Sequence, residues 1–149
     1  MHAGRRKEKR IHIYNESGLR LPLRHEEISG IILTLLKAYQ LSSCDINIIF
    51  MADEPLRDMK KEYFDQDVFT DIISFTMECC EDYLEGELYI SLPRIRENAS
   101  RYHVSIRQEC ARILIHGYLH LMGYEDGNPE AREQMTILEN RHLEECGYA

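Results

Sequence analysis

The chain has 149 residues, 44% of them hydrophobic and 30% charged, and this composition predicts one soluble globular domain rather than a disordered chain. The net charge of −8 argues mildly against a general nucleic-acid-binding protein, because such proteins usually carry an excess of basic residues. No apolar run reaches the roughly 18 residues that cross a bilayer, and no signal-peptide core follows the N-terminus, so we expect a cytoplasmic protein.

The first half of the chain alternates strand-like and helix-like segments after a basic stretch, residues 1–10, that we expect to be a flexible tail. Hydrophobic periodicity predicts strands at residues 11–16 and 45–51 and helices at residues 25–40 and 53–64. Asp53 is expected to cap the second helix, with Pro55 in its first turn.

The second half contains two more strands and three more helices. Strands are predicted at residues 70–77 and 86–92, and helices at residues 93–102, 105–122 and 129–147. We expect Gly86 to supply a turn before its strand and Ser105 to cap the long helix. The pattern predicts a single α+β domain, residues 1–149, with a small mixed sheet of about four strands covered by helices.

The helix predicted at residues 105–122 is apolar almost all round, so we expect it to be central and buried. On a helical wheel with about 100° per residue, its polar side chains fall on one stripe. The stripe consists of Ser105, Glu109, Arg112, His116 and His120. Because polar groups without water or partners are costly to bury, this stripe is expected to face a cleft.

His116 and His120 are four residues apart and point the same way on a helix. Gly123 allows the chain to leave the helix, and Asp126 follows. Two imidazoles and a carboxylate can bind a divalent metal and leave one position open, as in catalytic zinc sites. The sequence therefore predicts a metal site at the end of the central helix, with Glu125 as the competing carboxylate.

The segment HGYLHLMGYED, residues 116–126, resembles the signature of the YbeY family of bacterial rRNA-maturation endoribonucleases. That family's pattern, HGxLHLxGYDH, carries three zinc-binding histidines, and His116 and His120 match the first two. TDIISF at residues 70–75 and GELYIS at residues 86–91 are similar to the family's TDVLSF and GDIxIS strands, in the same order. The resemblance covers roughly residues 11–146.

The sequence departs from the family pattern at three places. Asp126 stands where the third histidine is usual; a carboxylate still binds zinc, but its charge makes the metal less electrophilic and could broaden the choice to manganese or iron. Phe64 stands where the family usually has an arginine linked to activity and RNA contact. This replacement removes a phosphate-binding cation, for which Lys60 and Lys61 are near enough in sequence to compensate in part. Thr76 replaces a common proline and is expected to matter only to local backbone.

The resemblance implies a zinc-dependent endoribonuclease, with one ion per chain, that cleaves single-stranded RNA in maturation of the 16S rRNA 3′ end and in ribosome assembly. Its implied partners are rRNA, the small ribosomal subunit and assembly factors. Catalysis would run through the metal held by His116, His120 and Asp126. The main alternative is an RNA-binding assembly factor whose metal is chiefly structural. A small-substrate metallohydrolase is disfavoured, because Gly117 replaces the glutamate of an HExxH peptidase.

Further side chains are candidates for supporting roles. Glu109 is interpreted as a structural partner or, alternatively, as a general base. Arg112 either contacts phosphate or pairs with Glu109 or Asp71. Arg94 and Arg96 are candidate RNA contacts or solvated surface residues.

Overall fold

The computed structural model describes residues 8–149, which contain four strands and five helices. The strands are β1 (Lys9–Asn15), β2 (Ser43–Met51), β3 (Ile72–Cys79) and β4 (Tyr83–Ser91). The helices are α1 (His25–Ala38), α2 (Asp53–Phe64), α3 (Leu92–Tyr102), α4 (Ile106–Leu121) and α5 (Pro129–Cys146). Their number, type and order confirm the predicted α+β fold.

The strands form one mixed sheet in the order β1, β2, β4, β3. The first three are parallel in this order, and β3 pairs with β4 in the antiparallel sense. In β2, Ile46, Ile48 and Phe50 are fully buried, because this strand lies between two others and its side chains pack into the core. The helices that carry the polar residues therefore pack on a buried sheet.

Helix α4 is the centre of the fold, as its apolar sequence predicts. It contacts β3 and β4 of the sheet and also packs against α1, α3 and α5. Ser105 is its N-cap and accepts a hydrogen bond from the backbone N–H of Gln108. Because α4 is enclosed on several sides, a polar side chain on it either faces a cleft or needs a partner from a neighbouring element.

The expectation that Gly86 forms a turn is wrong. Gly86 lies inside β4, opposite Ile46 of β2 and Thr76 of β3. A Cβ atom at this position would lie 2.7 Å from the backbone oxygen of Phe75 and 2.7 Å from Cδ2 of Leu121. Glycine is needed here because the end of α4 approaches the strand closely. Close approach of another segment is a common reason for a glycine inside a strand.

Helix α5, the longest helix of the described residues, lies across α4. Asn128 caps its N-terminus through the N–H of Ala131, and Gly147, at a φ of 84°, ends it. Its buried side chains are Met135, Glu139, His142 and Leu143. Within residues 8–149, no helix combines the length and apolar character needed to span a membrane.

The predicted basic tail falls largely on residues 1–7, which lie outside the described part of the chain. Its later residues Lys9 and Arg10 are the first residues of β1, where they pair with Cys44 and Asp45 of β2. The parallel ladder therefore extends two residues further toward the N-terminus than hydrophobic alternation indicates, since backbone pairing does not require apolar side chains.

Candidate metal centre

Two histidines and an aspartate meet at the C-terminal end of α4. His116 and His120 lie on successive turns of the helix, and the Nε2 atoms of their rings are 3.0 Å apart. The helix ends at Leu121, and Gly123, at a φ of 97°, turns the chain. Asp126 lies in the following loop, with its Oδ2 atom 3.4 Å from both Nε2 atoms. We refer to His116, His120 and Asp126 as the triad.

The donor atoms of the triad fit a divalent metal ion. One ligand atom from each residue lies within 4.8 Å of the other two. In a tetrahedral site with metal–ligand bonds of about 2.0–2.2 Å, neighbouring ligand atoms are about 3.3–3.6 Å apart. The observed separations of 3.0 and 3.4 Å are close to this range. Two imidazole nitrogens and one carboxylate oxygen can therefore hold an ion such as zinc.

Of the two adjacent carboxylates in the loop, Asp126 is the one that meets the imidazoles. Its side chain is partly buried and belongs to the cluster of potential ligands. Glu125 is exposed and lies outside that cluster. The structure thus favours Asp126 over Glu125 as the third donor.

Glu139 supports the triad from α5, and the sequence reading missed it. The Nδ1 atom of His116 lies 2.6 Å from Oε2 of this buried carboxylate. A proton on Nδ1 donates to Glu139 and leaves the lone pair of Nε2 directed toward His120 and Asp126. Carboxylates that orient ligating histidines in this way are a general feature of metal sites. The sequence carried one sign of this role: Glu139 is an acidic residue one turn after Met135, on the apolar side of the predicted last helix.

The surrounding carboxylates stabilise the protonated form of His116. Burial lowers its pKa, but the hydrogen bond and charge of Glu139 raise it, as do the charges of Asp126 and Asp71. The balance raises the pKa of His116 above its ordinary value. Because a metal binds only the neutral imidazole at Nε2, protons compete with the ion at this position.

Arg112 pairs with a different carboxylate from those considered in the sequence. Its Nη1 atom donates to Oε1 of Glu139 at 3.0 Å, and its Nη2 atom donates to Oδ1 of Asn140 at 2.8 Å. Glu109 and Asp71 were the expected partners. Both new partners come from α5, whose position over α4 could not be deduced from a helical wheel. Arg112 therefore holds Glu139 from the side opposite His116.

Glu109 lies on the wall of a cavity of about 230 Å³ between α3, α4 and α5. The side chains of His116, Asp126, Asp71 and Glu139 also line this cavity. Burial raises the pKa of Glu109 to about 7, the positive charge of Arg112 lowers it in part, and the neighbouring carboxylates add to the rise. This carboxyl group therefore changes its protonation near neutral pH.

A second cavity, of about 370 Å³, lies on the side of the triad facing α2 and β3. All three triad residues line it, together with Lys60 and Phe64. The Nζ atom of Lys60 is 4.6 Å from the centre of the Phe64 ring, a cation–π distance. Thus Phe64, which stands where the family pattern has arginine, carries a lysine over its ring. Lys61, the other lysine that the sequence placed near this position, does not line the cavity.

Asp71, in the loop before β3, and Ser74, within β3, lie beside the triad. The Asp71 side chain lines both cavities beside the triad, and Ser74 lines the larger one. The backbone oxygen of Asp71 accepts a hydrogen bond from the N–H of Ser91 at 2.9 Å. Burial is the main cause that raises the pKa of Asp71. This loop is therefore fixed to the sheet while its carboxylate faces His116.

Arg94 and Arg96 lie away from both cavities beside the triad. The Nε atom of Arg94 donates to both oxygens of Asp53 at 3.1 Å, so Asp53 is occupied there. The N-cap of α2 is Ala52, and the expectation that Asp53 caps it is therefore wrong. Arg96 is exposed and lines a separate groove.

Comparison with protein-family models gives a match between residues 13–147 and the family described as Endoribonuclease YbeY. The chain is 34% identical over 137 residues to Endoribonuclease YbeY of Cytophaga hutchinsonii, a match that covers 92% of this chain and 96% of the relative. It is 37% identical over 143 residues to Endoribonuclease YbeY of Parabacteroides distasonis, covering 89% and 96%. Both relatives are thus matched over nearly their whole length.

Comparison with solved structures gives a similar fold. The solution structure of TM1509 from Thermotoga maritima matches with a TM-score of 0.62 and 20% sequence identity. The match covers 91% of this chain and 88% of that chain. At this level of identity, the similarity extends to the arrangement of strands and helices.

Proposed function

The chain belongs to the YbeY family of endoribonucleases, and we propose that it is a metal-dependent endoribonuclease specific for single-stranded RNA. We assign it to the maturation of ribosomal RNA, at the 3′ end of 16S rRNA, and to ribosome assembly. The proposed partners are rRNA, the small ribosomal subunit and assembly factors, and the proposed location is the cytoplasm.

One observation carries this proposal: the donor atoms of His116, His120 and Asp126 converge between two open cavities. These residues would hold one divalent ion, and zinc is favoured by the two imidazoles. When bound, such an ion supplies a Lewis acid for a phosphoryl oxygen and lowers the pKa of a bound water. The open cavities give an RNA strand access to the same point.

The residues around the triad have complementary roles in this proposal. Glu139 fixes the orientation and tautomer of His116, and Arg112 holds Glu139 in place. Lys60 provides an ammonium group for a phosphate oxygen in the cavity it shares with the triad. Asp71 supplies a fixed negative charge facing His116 from the loop before β3.

Glu109 is a weaker candidate for proton transfer at the reacting phosphate. It precedes His116 by two helical turns, or about 10 Å along the helix axis. A general base must come within about 3 Å of the proton it removes, or act through one water. Its pKa of about 7 would suit such a role, but the separation favours a role in the cavity wall. Arg94, paired with Asp53, is likewise a weaker candidate for RNA contact.

Phe64 is the observation that favours the second candidate function. A phenylalanine in the cavity beside the triad provides no donor for a phosphate, so Lys60 is the described cation there. Weak stabilisation of the RNA phosphate at the metal would suit an assembly factor that binds RNA without cleaving it. In such a protein the metal would serve to hold the end of α4 in place. The two candidate functions differ in whether bound RNA is cleaved.

A cleavage assay with two histidine variants tests the proposed function. The protein is incubated with a labelled single-stranded RNA, with and without a chelator, alongside His120→Ala and the control His12→Ala. His12 is an exposed residue of β1 and lies outside the triad. We expect wild type and His12→Ala to cleave, and His120→Ala to lose more than about 100-fold in rate. Equal cleavage by all three proteins would reject the metal-dependent nuclease, and intact RNA with metal bound would favour the assembly factor.

A further inference from the structure

A second charged region lies near the N-terminal end of α4. A groove of about 780 Å³ is formed by the segment before α1, by α3 and by the first turn of α4. Four arginines line it: Arg20, Arg24, Arg96 and Arg107. We refer to this region as the arginine groove. In a protein with a net charge of −8, such a concentration of guanidinium groups is a local exception.

The positive charge of the arginine groove is only partly neutralised. Glu27 is the one carboxylate of its described lining, and it lies 3.2 Å from Nη1 of Arg107 and 3.4 Å from Nε of Arg24. The hydrogen bond from Arg107 is the main cause that lowers the pKa of Glu27 to about 2. Arg20 and Arg96 are exposed and form no ion pair with any residue of the range 8–149.

The lining of the arginine groove also suits an extended polyanion with apolar parts. Leu21, Pro22, Leu23 and Ile106 line it between the arginines. Guanidinium groups match the oxygens of a phosphate with paired hydrogen bonds, and they are more weakly hydrated than ammonium groups. Apolar side chains can contact sugars and base faces. A positively charged groove that follows the phosphate backbone is the electrostatic part of binding a single nucleic-acid strand without sequence preference.

The position of the groove separates it from the metal centre. Arg107 precedes His116 by nine residues, which corresponds to about 14 Å along the axis and about half a turn around it. The two residues therefore point to different sides of α4. A phosphate bound by the arginine groove cannot be the one beside the triad.

We propose that the arginine groove is an anchoring site for the phosphate backbone of single-stranded RNA, at a segment away from the cleaved bond. The identification of RNA rests on the proposed function, whereas binding of a polyanion rests on the guanidinium groups themselves. Arg20 and Arg96 are the principal contacts, because no carboxylate competes for them among the described residues. Arg107 is paired with Glu27, and Arg24 is paired with Glu26 and Glu27, so these two arginines add little net positive charge.

Binding without cleavage tests this site. The affinity of the full-length protein for a labelled single-stranded RNA of about 20 nucleotides is measured by fluorescence anisotropy, with chelator present and between about 50 and 200 mM salt. The double variant Arg20→Gln, Arg96→Gln is compared with Lys37→Gln, Arg101→Gln, which removes the same charge. Lys37 lies in the last turn of α1, and Arg101 pairs with Glu97. Thermal unfolding establishes that all variants are folded.

The groove variant is expected to raise the Kd at least about 5-fold and to reduce the salt slope of log K by about 2, one for each phosphate contact. The control pair should change the Kd by less than about 2-fold. Arg20→Lys with Arg96→Lys should retain the salt slope, because the charges remain.

Three results would overturn the proposal: unchanged RNA affinity in the groove variant, an equal loss in the control variant, or tighter binding of a polyglutamate peptide than of RNA with the same arginine dependence. None of these outcomes depends on cleavage. If the protein cleaves RNA but its RNA affinity is unchanged by these substitutions, the proposed function stands and the groove proposal fails. If the protein does not cleave RNA but the groove variant loses affinity as described, the groove proposal stands and the proposed nuclease function fails.

Discussion

The two ends of α4 carry different chemistry on one rigid helix. At the C-terminal end, two imidazoles and Asp126 meet, and Glu139 lies within hydrogen-bonding range of the His116 ring. At the N-terminal end, four arginines surround a groove with a single carboxylate in its described lining. The first arrangement suits a cation, and the second suits an anion.

This difference explains how a chain with a net charge of −8 can still present a local site for an anion. A metal centre of this kind needs carboxylates and neutral imidazoles, and the carboxylates repel the RNA backbone before an ion is bound. Arg107 lies about 14 Å from His116 along α4, and the other three arginines belong to α3 and to the segment before α1. Among the described residues, these arginines therefore do not pair with the carboxylates beside the triad. The two ends can therefore be tested separately.

Replacing Glu139 should have the largest effect, and only at the triad end. Glu139→Ala removes the acceptor for His116 and leaves Arg112 without its carboxylate, so we expect zinc affinity to fall by about 10–100-fold. Glu139→Gln keeps an acceptor oxygen and should lose less. Zinc titration against a chromophoric chelator measures the change, with exposed Glu133→Ala as the control on the same helix. If Glu139→Ala also lost RNA affinity to the same extent, measured with chelator present, the two ends of α4 would not be independent.

Adding a methyl group at Gly86 should displace the triad end of α4 from the sheet. The new Cβ atom would lie 2.7 Å from both Cδ2 of Leu121 and the backbone oxygen of Phe75. We expect Gly86→Ala to lower the free energy of unfolding by about 2 kcal/mol, measured by urea denaturation. Gly30→Ala is the control, because nothing lies within 4 Å of its added Cβ in α1. The control should be stabilised by about 0.5–1 kcal/mol, and a similar loss in both variants would contradict the close packing.

Glu109, in the first turn of α4, should make stability depend on pH. Its pKa in the folded protein is about 7, above the ordinary value of 4.5, so the folded state binds more protons than the unfolded state between these values. The free energy of unfolding should therefore fall as pH rises from about 4.5 to 7 and then level off. Glu109→Gln removes this dependence. In the presence of chelator, the variant should gain up to about 3 kcal/mol of unfolding free energy relative to wild type as pH rises across that range. A pH-independent difference between the two proteins would contradict the raised pKa.

Lys60 should have the smallest effect, confined to phosphate binding beside the triad. Lys60→Met retains an apolar stem over the Phe64 ring but removes the ammonium group. We expect kcat/KM for RNA cleavage to fall by about 3–10-fold, the equivalent of about 1 kcal/mol. Lys61→Met is the matched control, because Lys61 lies outside the cavity lining. Equal effects of the two substitutions would indicate general charge rather than a specific phosphate contact.

Much of the fold was predictable because apolar periodicity dominates the elements that form the core. The central position of α4 and its polar stripe followed from the wheel, and so did the convergence of His116 and His120. The partners of that stripe did not follow, because Glu139 reaches His116 from α5, 23 residues later in the chain. Gly86 was misread for a similar reason: the close approach of Leu121 is a tertiary contact with no local signal.

The candidate RNA contacts show the same limit. Arg94 and Arg96 are two residues apart in the sequence and were expected to act alike. On α3 they point in different directions, so Arg94 meets Asp53, whereas Arg96 faces the groove formed with the segment before α1. Only the packing of distant segments decides which arginine remains available for an anion.

The identity of the third donor is the most direct test of the metal centre. Zinc content per chain and zinc affinity are measured for wild type, Asp126→Ala and Glu125→Ala, with Asp126→His as a companion that offers an imidazole. We expect one zinc ion per wild-type chain, unchanged affinity in Glu125→Ala and retained or tighter binding in Asp126→His. Asp126→Ala should lose at least about 10–100-fold. Wild-type zinc affinity in Asp126→Ala would contradict the triad as the metal-binding site.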